Sequence, residues 1–510
     1  LFILQIRGIE MDQQQRSENE YIQQRRQHLQ DIKEAGIDPF PVKFDYDITA
    51  EEIKDIFEKY SKEELEGLEK HLKTCGRIMS KRMQGRACFM HIAYGSAKIQ
   101  LYIRQDKVGK PAYKLLKKIE VGDFIGVTGI LFRTRTEELT VMVDEYTFLS
   151  KAIRPMPEKW HGLKDKELRY RMRYLDLMSN EDVRQTFALR SALISEARKF
   201  FEMKGYMEVE TPMMQLIPGG AAAKPFITHH NALDLDLYLR IAPELFLKRL
   251  IVGGFPRVFE INRNFRNEGV DSQHNPEFTM VEFYEAYADL RDMMTITEEL
   301  FTQLCDNVLK TRTVKYGDHT LSFETPFRRL TMREAITEHS KIPMEKLDSI
   351  ETLLPEAKKL NIEDAEKMNY GKLLSEVFET VAEEKLIQPT FITEYPIEVS
   401  PLTKNIQGDD RFVDRFELFI AGMELSNAYS ELNDPEEQLR RFQMQLSERE
   451  QGDDEAQMMD KDFLTAMEHG MPPTGGQGIG IDRLVMVLTN SQSIRDVILF
   501  PYMRPRKDED

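Results

Sequence analysis

RVFEINRNFRNEGVDSQHNPEFTMVEFY, residues 257–284, reads as two strands joined by a polar loop. Val258, Glu260, Asn262, Asn264, Arg266 and Glu268 fall on one face at period two, with Phe259, Ile261 and Phe265 on the other. Gly269 to Pro276 is turn chemistry, rich in Gly, Asp, Ser and Asn and closed by a proline. The return strand alternates Phe278, Met280, Glu282 and Tyr284 against Thr279, Val281 and Phe283. One face of the hairpin is therefore expected to present Arg266, Glu268, Phe278, Glu282 and Tyr284. An ordinary half-buried strand pair puts apolar residues on one side and dispersed polar ones on the other. A guanidinium, two carboxylates, an aromatic plane and a phenol on one face make a poor core and a good site for phosphate and cations.

An isolated Arg–Glu pair on a hairpin is ordinarily a solvated surface feature. The segment, however, resembles motif 2 of class II aminoacyl-tRNA synthetases, in which FRNEG or FRDEG ends the first strand. That resemblance implies that Arg266 holds the α-phosphate of ATP and the amino-acid carboxylate, and that Phe278 stacks on adenine. It implies further ATP contacts at Asn267, Glu268, His274 and Asn275.

The 510 residues exceed one hydrophobic core, so two or three domains are expected. A hydrophobic content of 41% with 31% charged residues fits a soluble, charge-rich protein. Cys75, Cys88 and Cys305 form no metal spacing and no disulfide framework, which points to the reducing cytoplasm. No stretch approaches the roughly 18 uninterrupted apolar residues of a membrane span. The opening LFILQIRGIE has no basic leader and no small-residue cleavage site, and Met11 reads as the start of the natural chain. A net charge of −17 argues against general coating of nucleic acid, while a specific RNA binder needs only a local basic path.

Upstream of the hairpin, residues 12–36 suggest a surface helix ending at Ala35-Gly36, and residues 50–73 a charged helical segment. From Cys75 the period becomes two. Strands are expected around 87–92, 99–104, 123–132 and 139–143, with Gly76, Gly85, Gly95, Gly122, Gly126 and Gly129 at turns. This pattern predicts a small five-stranded barrel of OB type, a fold that binds oligonucleotides through aromatic and basic residues on one face. GRIMSKRMQGRACFMHI within it resembles the anticodon-binding domain of class IIb synthetases. The resemblance places Arg82, Phe89, Gln100 and Glu138 around the anticodon, with His91 where the family has an acidic residue. Packing into the barrel core is an equal reading for Phe89.

Residues 151–182 read as a linker with a basic side able to touch RNA, containing the only tryptophan, Trp160. A helix with Leu189, Leu193, Ala197, Phe200 and Phe201 at helical spacing then closes at Gly205, and YMEVETP alternates as a strand. The unit resembles motif 1, the homodimer interface of class II synthetases; a generic helix and strand fits as well. Gly219-Gly220 precede AAAKPF, and Glu244 follows Pro243 at the mouth of an apolar helix, where a carboxylate ordinarily serves the helix dipole. GGA.AKPF and APEL in this order resemble the lysine-specific family, in which Gly220 and Glu244 would hold the α-amino group. Aspartate enzymes of the subclass carry Gln-Ser-Pro-Gln where this chain has Ile241-Ala242-Pro243-Glu244.

Residues 310–400 suggest a helical insertion with no assignable chemistry. In FELFIAGMELSNAYSEL, residues 416–432, Glu417 and Glu424 differ in strand parity, and a turn at Ala421-Gly422 is expected to reconcile them. Two carboxylates near triphosphate oxygens suit magnesium. By resemblance Glu417 and Glu424 hold Mg²⁺ with ATP, Leu418 adds an ATP contact, Asn427 and Tyr429 bind the amino acid, and Glu431 lines its side-chain pocket. Met423 stands where the family has lysine. Finally, PPTGGQGIGIDRL, residues 472–484, permits a tight strand-to-helix turn, with Arg483 as a planar fork for phosphate. It resembles motif 3, which adds Gly480 and Arg483 to the ATP site, and no Walker A or Rossmann fingerprint competes.

Three motifs in order behind an OB-like barrel resemble class II lysyl-tRNA synthetase of the cytosolic type over residues 75–505. The resemblance implies an α+β fold: an N-terminal extension (1–73), a five-stranded OB-type anticodon domain (74–150), a linker (151–182), and an antiparallel-sheet catalytic domain flanked by helices (183–510). It implies ATP and Mg²⁺, L-lysine and tRNA(Lys) as partners, and a homodimer away from any membrane. Glu282 and Tyr284 would hold the lysine ammonium, and Arg266 and Arg483 would be the catalytic charges. An aspartyl- or asparaginyl-type enzyme is disfavoured because Glu244 and Glu282 would repel an acidic substrate. A lysine ligase for a protein acceptor is disfavoured by the barrel, and a silent RNA-binding paralogue by the intact Arg266, Glu268, Glu417, Glu424 and Arg483.

Overall fold

The computed structural model describes residues 19–68, 70–156, 163–450 and 457–506. The expected start at Met11 and the tryptophan of the linker, Trp160, lie outside the described residues. The chain forms two compact units, Leu1–Arg184 and Gln185–Asp510.

In the first unit five strands, β1 (His71–Gln84), β2 (Ala87–Tyr94), β3 (Ala97–Arg104), β4 (Phe124–Arg133) and β5 (Leu139–Ser150), close into a barrel in the order β1-β2-β3-β5-β4. The period-two pattern explains closure: Cys88, Met90, Ile92, Ile99, Leu101 and Ile103 fill the interior, leaving Phe89 and His91 on the outer face. The 50–73 segment is not one helix. It breaks between the helices Ala50–Phe57 and Lys62–Leu68, and His71–Lys73 already pair with β4 as the start of β1. A helix over 19–34 is pinned by Arg25, which donates to the carbonyls of Val121 and Ala152.

The basic stretch after the barrel is partly inward-facing. Arg173 is fully buried against Asp176, which also accepts from Arg169 at 2.9 Å, so these guanidiniums serve packing rather than an RNA-facing side.

The second unit is built on a nine-stranded sheet. Its path comprises eight strands, β6 (Met207–Glu208), β7 (Arg257–Phe265), β8 (Glu277–Ala286), β9 (Arg328–Thr331), β10 (Thr390–Pro396), β11 (Asp409–Ile420), β12 (Met423–Ser430) and β13 (Thr474–Gly480), and the ninth, Asn405–Ile406, pairs with β11 off the path. The spatial order is β9-β10-β11-β12-β13-β8-β7-β6. Pairing is antiparallel except for β9 with β10 and β6 with β7. The hairpin that opened the sequence sets the two faces. Phe259, Val281 and Phe283 bury against helices α1 (Glu181–Met203), α3 (Leu290–Leu304) and α4 (Ile481–Leu488), with Phe201 stacked 5.0 Å from Phe259. Glu260, Asn262, Glu282 and Tyr284 take the opposite face, in register across the pair. A helix α2, Glu244–Val252, packs on that side.

Two expectations need correction. The strand after α1 is only Met207–Glu208, because the chain leaves the ladder once Val209 has donated to Phe259. Residues 310–400 are not a purely helical insertion: β9 and β10 extend the main sheet, a hairpin spans Thr313–Ser322, and the helices between them close a separate core around Leu353, Leu373 and Phe378. Among the described residues no helix is long and apolar enough to cross a membrane.

Candidate active site

The polar face of the sheet opens into a cavity of about 510 Å³. It is lined by fifteen of the expected site residues: Gly220, Glu244, Arg266, Glu268, His274, Asn275, Phe278, Glu282, Tyr284, Glu417, Glu424, Asn427, Tyr429, Gly480 and Arg483. Three expected residues are elsewhere. Asn267 has its backbone N–H bonded to the Lys224 carbonyl and does not line the cavity. Leu418 points into the apolar core, because strand parity sends it away from Glu417. Glu431 is fully buried behind the wall, where it is ion-paired.

At the phosphate end β7 stops at Phe265, so Arg266 and Glu268 sit on the loop beyond the strand, not on its face. Arg266 N–H still donates to the Pro276 carbonyl at 2.9 Å, which carries the ladder one step further. Its guanidinium lies over the Phe278 ring, 5.0 Å from the ring centre, so the charge and the aromatic plane are in cation–π contact. Arg483 donates to the Glu424 carbonyl at 2.6 Å and lies 3.0 Å from His274 Nε2. His274 and Asn275 brace the loop: Nδ1 of His274 meets Asp271 at 2.9 Å, and Asn275 donates to the Glu277 carbonyl while accepting from Tyr502 N–H.

The two metal candidates do converge, and the expected turn at Ala421-Gly422 brings them onto one face. Ala421 and Gly422 form the turn with φ of 55° and 71°. Ile420 pairs with Met423 and Phe419 with Glu424, so the two-residue turn puts Glu424 on the face of Phe419 and Glu417, while a bulge at Leu425, between that pair and Leu418 with Ser426, brings Asn427 onto the same face opposite Glu417. Burial, then the neighbouring Glu424 carboxylate, push Glu417 up to about 7. Tyr395 donates to Glu417 at 2.7 Å, and the buried Arg415 pairs with its other oxygen. Among the described residues no group of three or more His, Cys, Asp or Glu side chains gathers as a ready-made metal cage. A buried carboxylate whose ionised form is disfavoured, with a second carboxylate beside it, fits a cation completing its shell from phosphate and water.

At the amino-acid end three carboxylates converge out of water. Glu282 accepts from the Tyr284 hydroxyl at 2.8 Å and is pushed up to about 8 by burial and then by Glu244. Gly220 has φ of +88°, and a Cβ there would meet the Glu244 Cβ at 2.7 Å, so only glycine lets this loop close over Glu244. The floor is also glycine. A Cβ on Gly476 would fall 2.1 Å from Glu431 Oε1 and 2.3 Å from the Tyr284 ring, and one on Gly478 2.8 Å from Met280 Cε. Motif-3 glycines thus keep the pocket open beneath Glu282 and Tyr284.

On the barrel, Phe89 is half-exposed on the outer face and stacks on Tyr102 at 4.6 Å, which removes the core-packing reading. Arg82 pairs across from Phe89, and His91 from Gln100, so these side chains share a face. His91 Nε2 and Gln100 Nε2 both meet the Glu138 carboxylate, at 2.8 and 2.7 Å. The departure at His91 therefore keeps a hydrogen-bonded partner for Glu138.

Residues 165–504 match the model of the tRNA synthetases class II (D, K and N), and residues 72–149 that of the OB-fold nucleic acid binding domain. The lysine–tRNA ligase of Halalkalibacterium halodurans is 53% identical over 486 residues, covering 95% of this chain and 97% of that protein. Those of Carboxydothermus hydrogenoformans and Staphylococcus saprophyticus are each 52% identical, covering 96% of this chain and 99% of theirs. The chain belongs to the class II lysyl-tRNA synthetases.

Several residues of this synthetase site escape sequence reading. Arg415 donates to Asn427 Oδ1 at 3.1 Å and to Val399 and Ser400, tying the amino-acid end to the metal end. Asp482 anchors the return strand by accepting from Thr279 N–H at 2.7 Å. Lys248 lies between Glu244 and Glu431. Tyr102 extends the anticodon-side aromatic face. Only Tyr102 carried a signal, its same-face position one strand over from Phe89.

Proposed function

We propose that the cavity joins L-lysine to ATP and that the enzyme passes the lysyl group to tRNA(Lys). The observation that carries the reading is Glu282: a buried carboxylate with a phenol donor and no cation among its described contacts, lining the cavity. A buried carboxylate of this kind gains most from an ammonium that arrives with the substrate.

The lysine carboxylate attacks the α-phosphorus, a P–O bond to the bridging oxygen breaks, and pyrophosphate leaves with its electron pair. The terminal adenosine hydroxyl of the tRNA then attacks the lysyl carbonyl and AMP departs. No side-chain nucleophile is needed, so the protein works by positioning and charge. Arg266 faces the α-phosphate and the amino-acid carboxylate, Phe278 supports adenine, and Arg483 holds the terminal phosphate. Glu417 and Glu424 are the pair that would hold Mg²⁺, which when bound screens the triphosphate charge. Gly220 and Glu244 take the α-amino group, Glu282 and Tyr284 the ε-ammonium, and Asn427 the carboxylate.

The barrel, residues 74–150 with His71–Lys73 added, is assigned to the anticodon, with Phe89 and Tyr102 as the stacking platform. Exposed Met203 (70%), Met214 (56%), Leu216 (63%) and Ile227 (65%) around the motif-1 segment support a homodimer through that face. Three free, unpaired cysteines suit a reducing cytoplasm. The test is ATP–pyrophosphate exchange with each standard amino acid in turn. Lysine is expected to support it. Exchange with another amino acid but not lysine refutes the substrate, and exchange with none refutes the ligase.

A further inference from the structure

Lys248 is fully buried in the second turn of α2, and its Nζ lies 2.5 Å from Glu244 Oε1 and 2.5 Å from Glu431 Oε2. Neither oxygen of Glu431 accepts a conventional hydrogen bond from any other described group. Glu431 Oε1 is aimed at Gly476, a lining residue of the cavity. An ammonium with no solvent contact, shared by Glu244 in the pocket wall and Glu431 directly behind it, is a costly feature for a core to carry. Packing alone would be served as well by methionine or leucine.

The charges explain it. Glu244, Glu282 and Glu431 bring three negative charges when ionised, and Lys248 returns one positive charge. A pocket left with two negative charges is neutralised by a substrate with two ammonium groups, while the substrate carboxylate is met by Arg266. A zwitterion with an uncharged side chain leaves one buried carboxylate unpaired, a penalty that acts as discrimination.

We propose that Lys248 is a specificity-determining positioning residue, an internal counter-cation that bridges Glu244 and Glu431 and holds them in place so that the pocket accepts a diamino acid. The groups around it are Glu244 on its own helix, Glu282 and Tyr284 on β8, and Tyr429 with Glu431 at the end of β12; Arg415 acts on Glu244 from β11. Burial drives Glu431 up to about 8 even with Lys248 present, with Glu244 adding to the rise, so removing the cation pushes both acids further toward the neutral form.

This rests on the lysine-pocket reading, and the two fail differently: that reading fails if the unmodified protein shows no lysine-dependent exchange. The test is Lys248→Met, with lysine KM, ATP KM and the preference for lysine over norleucine measured by exchange. We expect lysine KM to rise about tenfold or more, as for loss of a buried ionic partner. The preference over norleucine should fall by a similar factor, the acid limb of kcat/KM for lysine should move to higher pH, and ATP KM should hold. Lys248→Arg should recover part of the loss. Unchanged lysine KM with unchanged preference overturns the inference, as does a parallel rise in lysine and ATP KM. If Lys248→Met does not fold, Lys248→Met/Glu431→Gln, which removes that ion pair together, carries the test. Its preference for lysine over norleucine must still fall, and an unaltered preference refutes the role.

Discussion

Replacing Glu282 by Gln keeps the shape of the side chain and its acceptor for the Tyr284 hydroxyl, and removes only the charge. Burial and Glu244 hold Glu282 up to about 8, so at pH 7 about one pKa unit, or ~1.4 kcal/mol, must be supplied to ionise it before the ammonium is paired. Breaking a buried ion pair costs about 3–5 kcal/mol. The difference, roughly 2–4 kcal/mol, predicts a rise in lysine KM of about fifteenfold to several hundredfold at saturating ATP. ATP KM should stay within about twofold, because Arg266, Phe278 and Arg483 are untouched. The same shift fixes a pH dependence. Lysine KM of the unmodified enzyme should fall about tenfold or more between pH 7 and the alkaline side of 8, and the Gln variant should lose the part of that slope that belongs to Glu282, while Glu431, also near 8, keeps the rest.

The sign for stability runs the other way. The folded carboxyl sits near 8 against an ordinary value of 4.5, so the folded state binds the extra proton between those limits. The ligand-free fold therefore keeps its full stability below 4.5 and loses it as pH rises through 8. Glu282→Gln should raise the Tm of the ligand-free protein, more at pH 8 than at pH 5. A folded variant with unchanged lysine KM, or a pH slope undiminished by the substitution, refutes the reasoning.

Arg266→Ala should lower lysine-dependent exchange by about a hundredfold or more, as for loss of one charge-stabilising donor, while tRNA binding through the barrel persists; near-normal exchange would refute the motif-2 role. Phe89→Ala should weaken aminoacylation by the equivalent of roughly 1–3 kcal/mol of base stacking and leave exchange intact. Its side chain is outside the barrel core, so a drop in both activities together would contradict that placement. Gly476→Ala puts a methyl where Glu431 Oε1 and the Tyr284 ring already stand, so lysine KM should rise steeply in a protein whose ATP KM is little changed; unaltered lysine KM would show the pocket floor lies elsewhere.

Alternation carried the hairpin a long way. Phe259, Val281 and Phe283 had to share a core, and that alone placed Glu282 and Tyr284 on the far side. The barrel was legible for the same reason, because Met90 and Ile92 alternate with Phe89 and His91. What misled was local: the end of β7 one residue before Arg266, and a two-residue β6 where seven residues alternate. Period cannot show where a ladder stops, since the partner strand decides it. The bulge at Leu425 is of the same kind, for an extra residue on one strand is visible only against the register of the other.

Buried charge was the deepest gap. Glu244 and Lys248 stand four apart on a helix, the spacing of an ordinary exposed pair that contributes a few tenths of a kcal/mol. Nothing in that spacing tells a solvated pair from one with no water contact. The distinction is made by Glu431, a residue remote in sequence, which meets the same ammonium from the end of a different strand. Arg415 is alike: a lone basic residue in a strand, yet it bonds Asn427, Ser400 and Val399 and pairs with Glu417. In both cases one cation gathers ligand-facing groups from separate elements, so its role exists only once the sheet has closed. Residues that touch substrate were legible because their chemistry is unusual for their position. Residues that hold them there look commonplace in sequence, and their cost becomes visible only when burial is known.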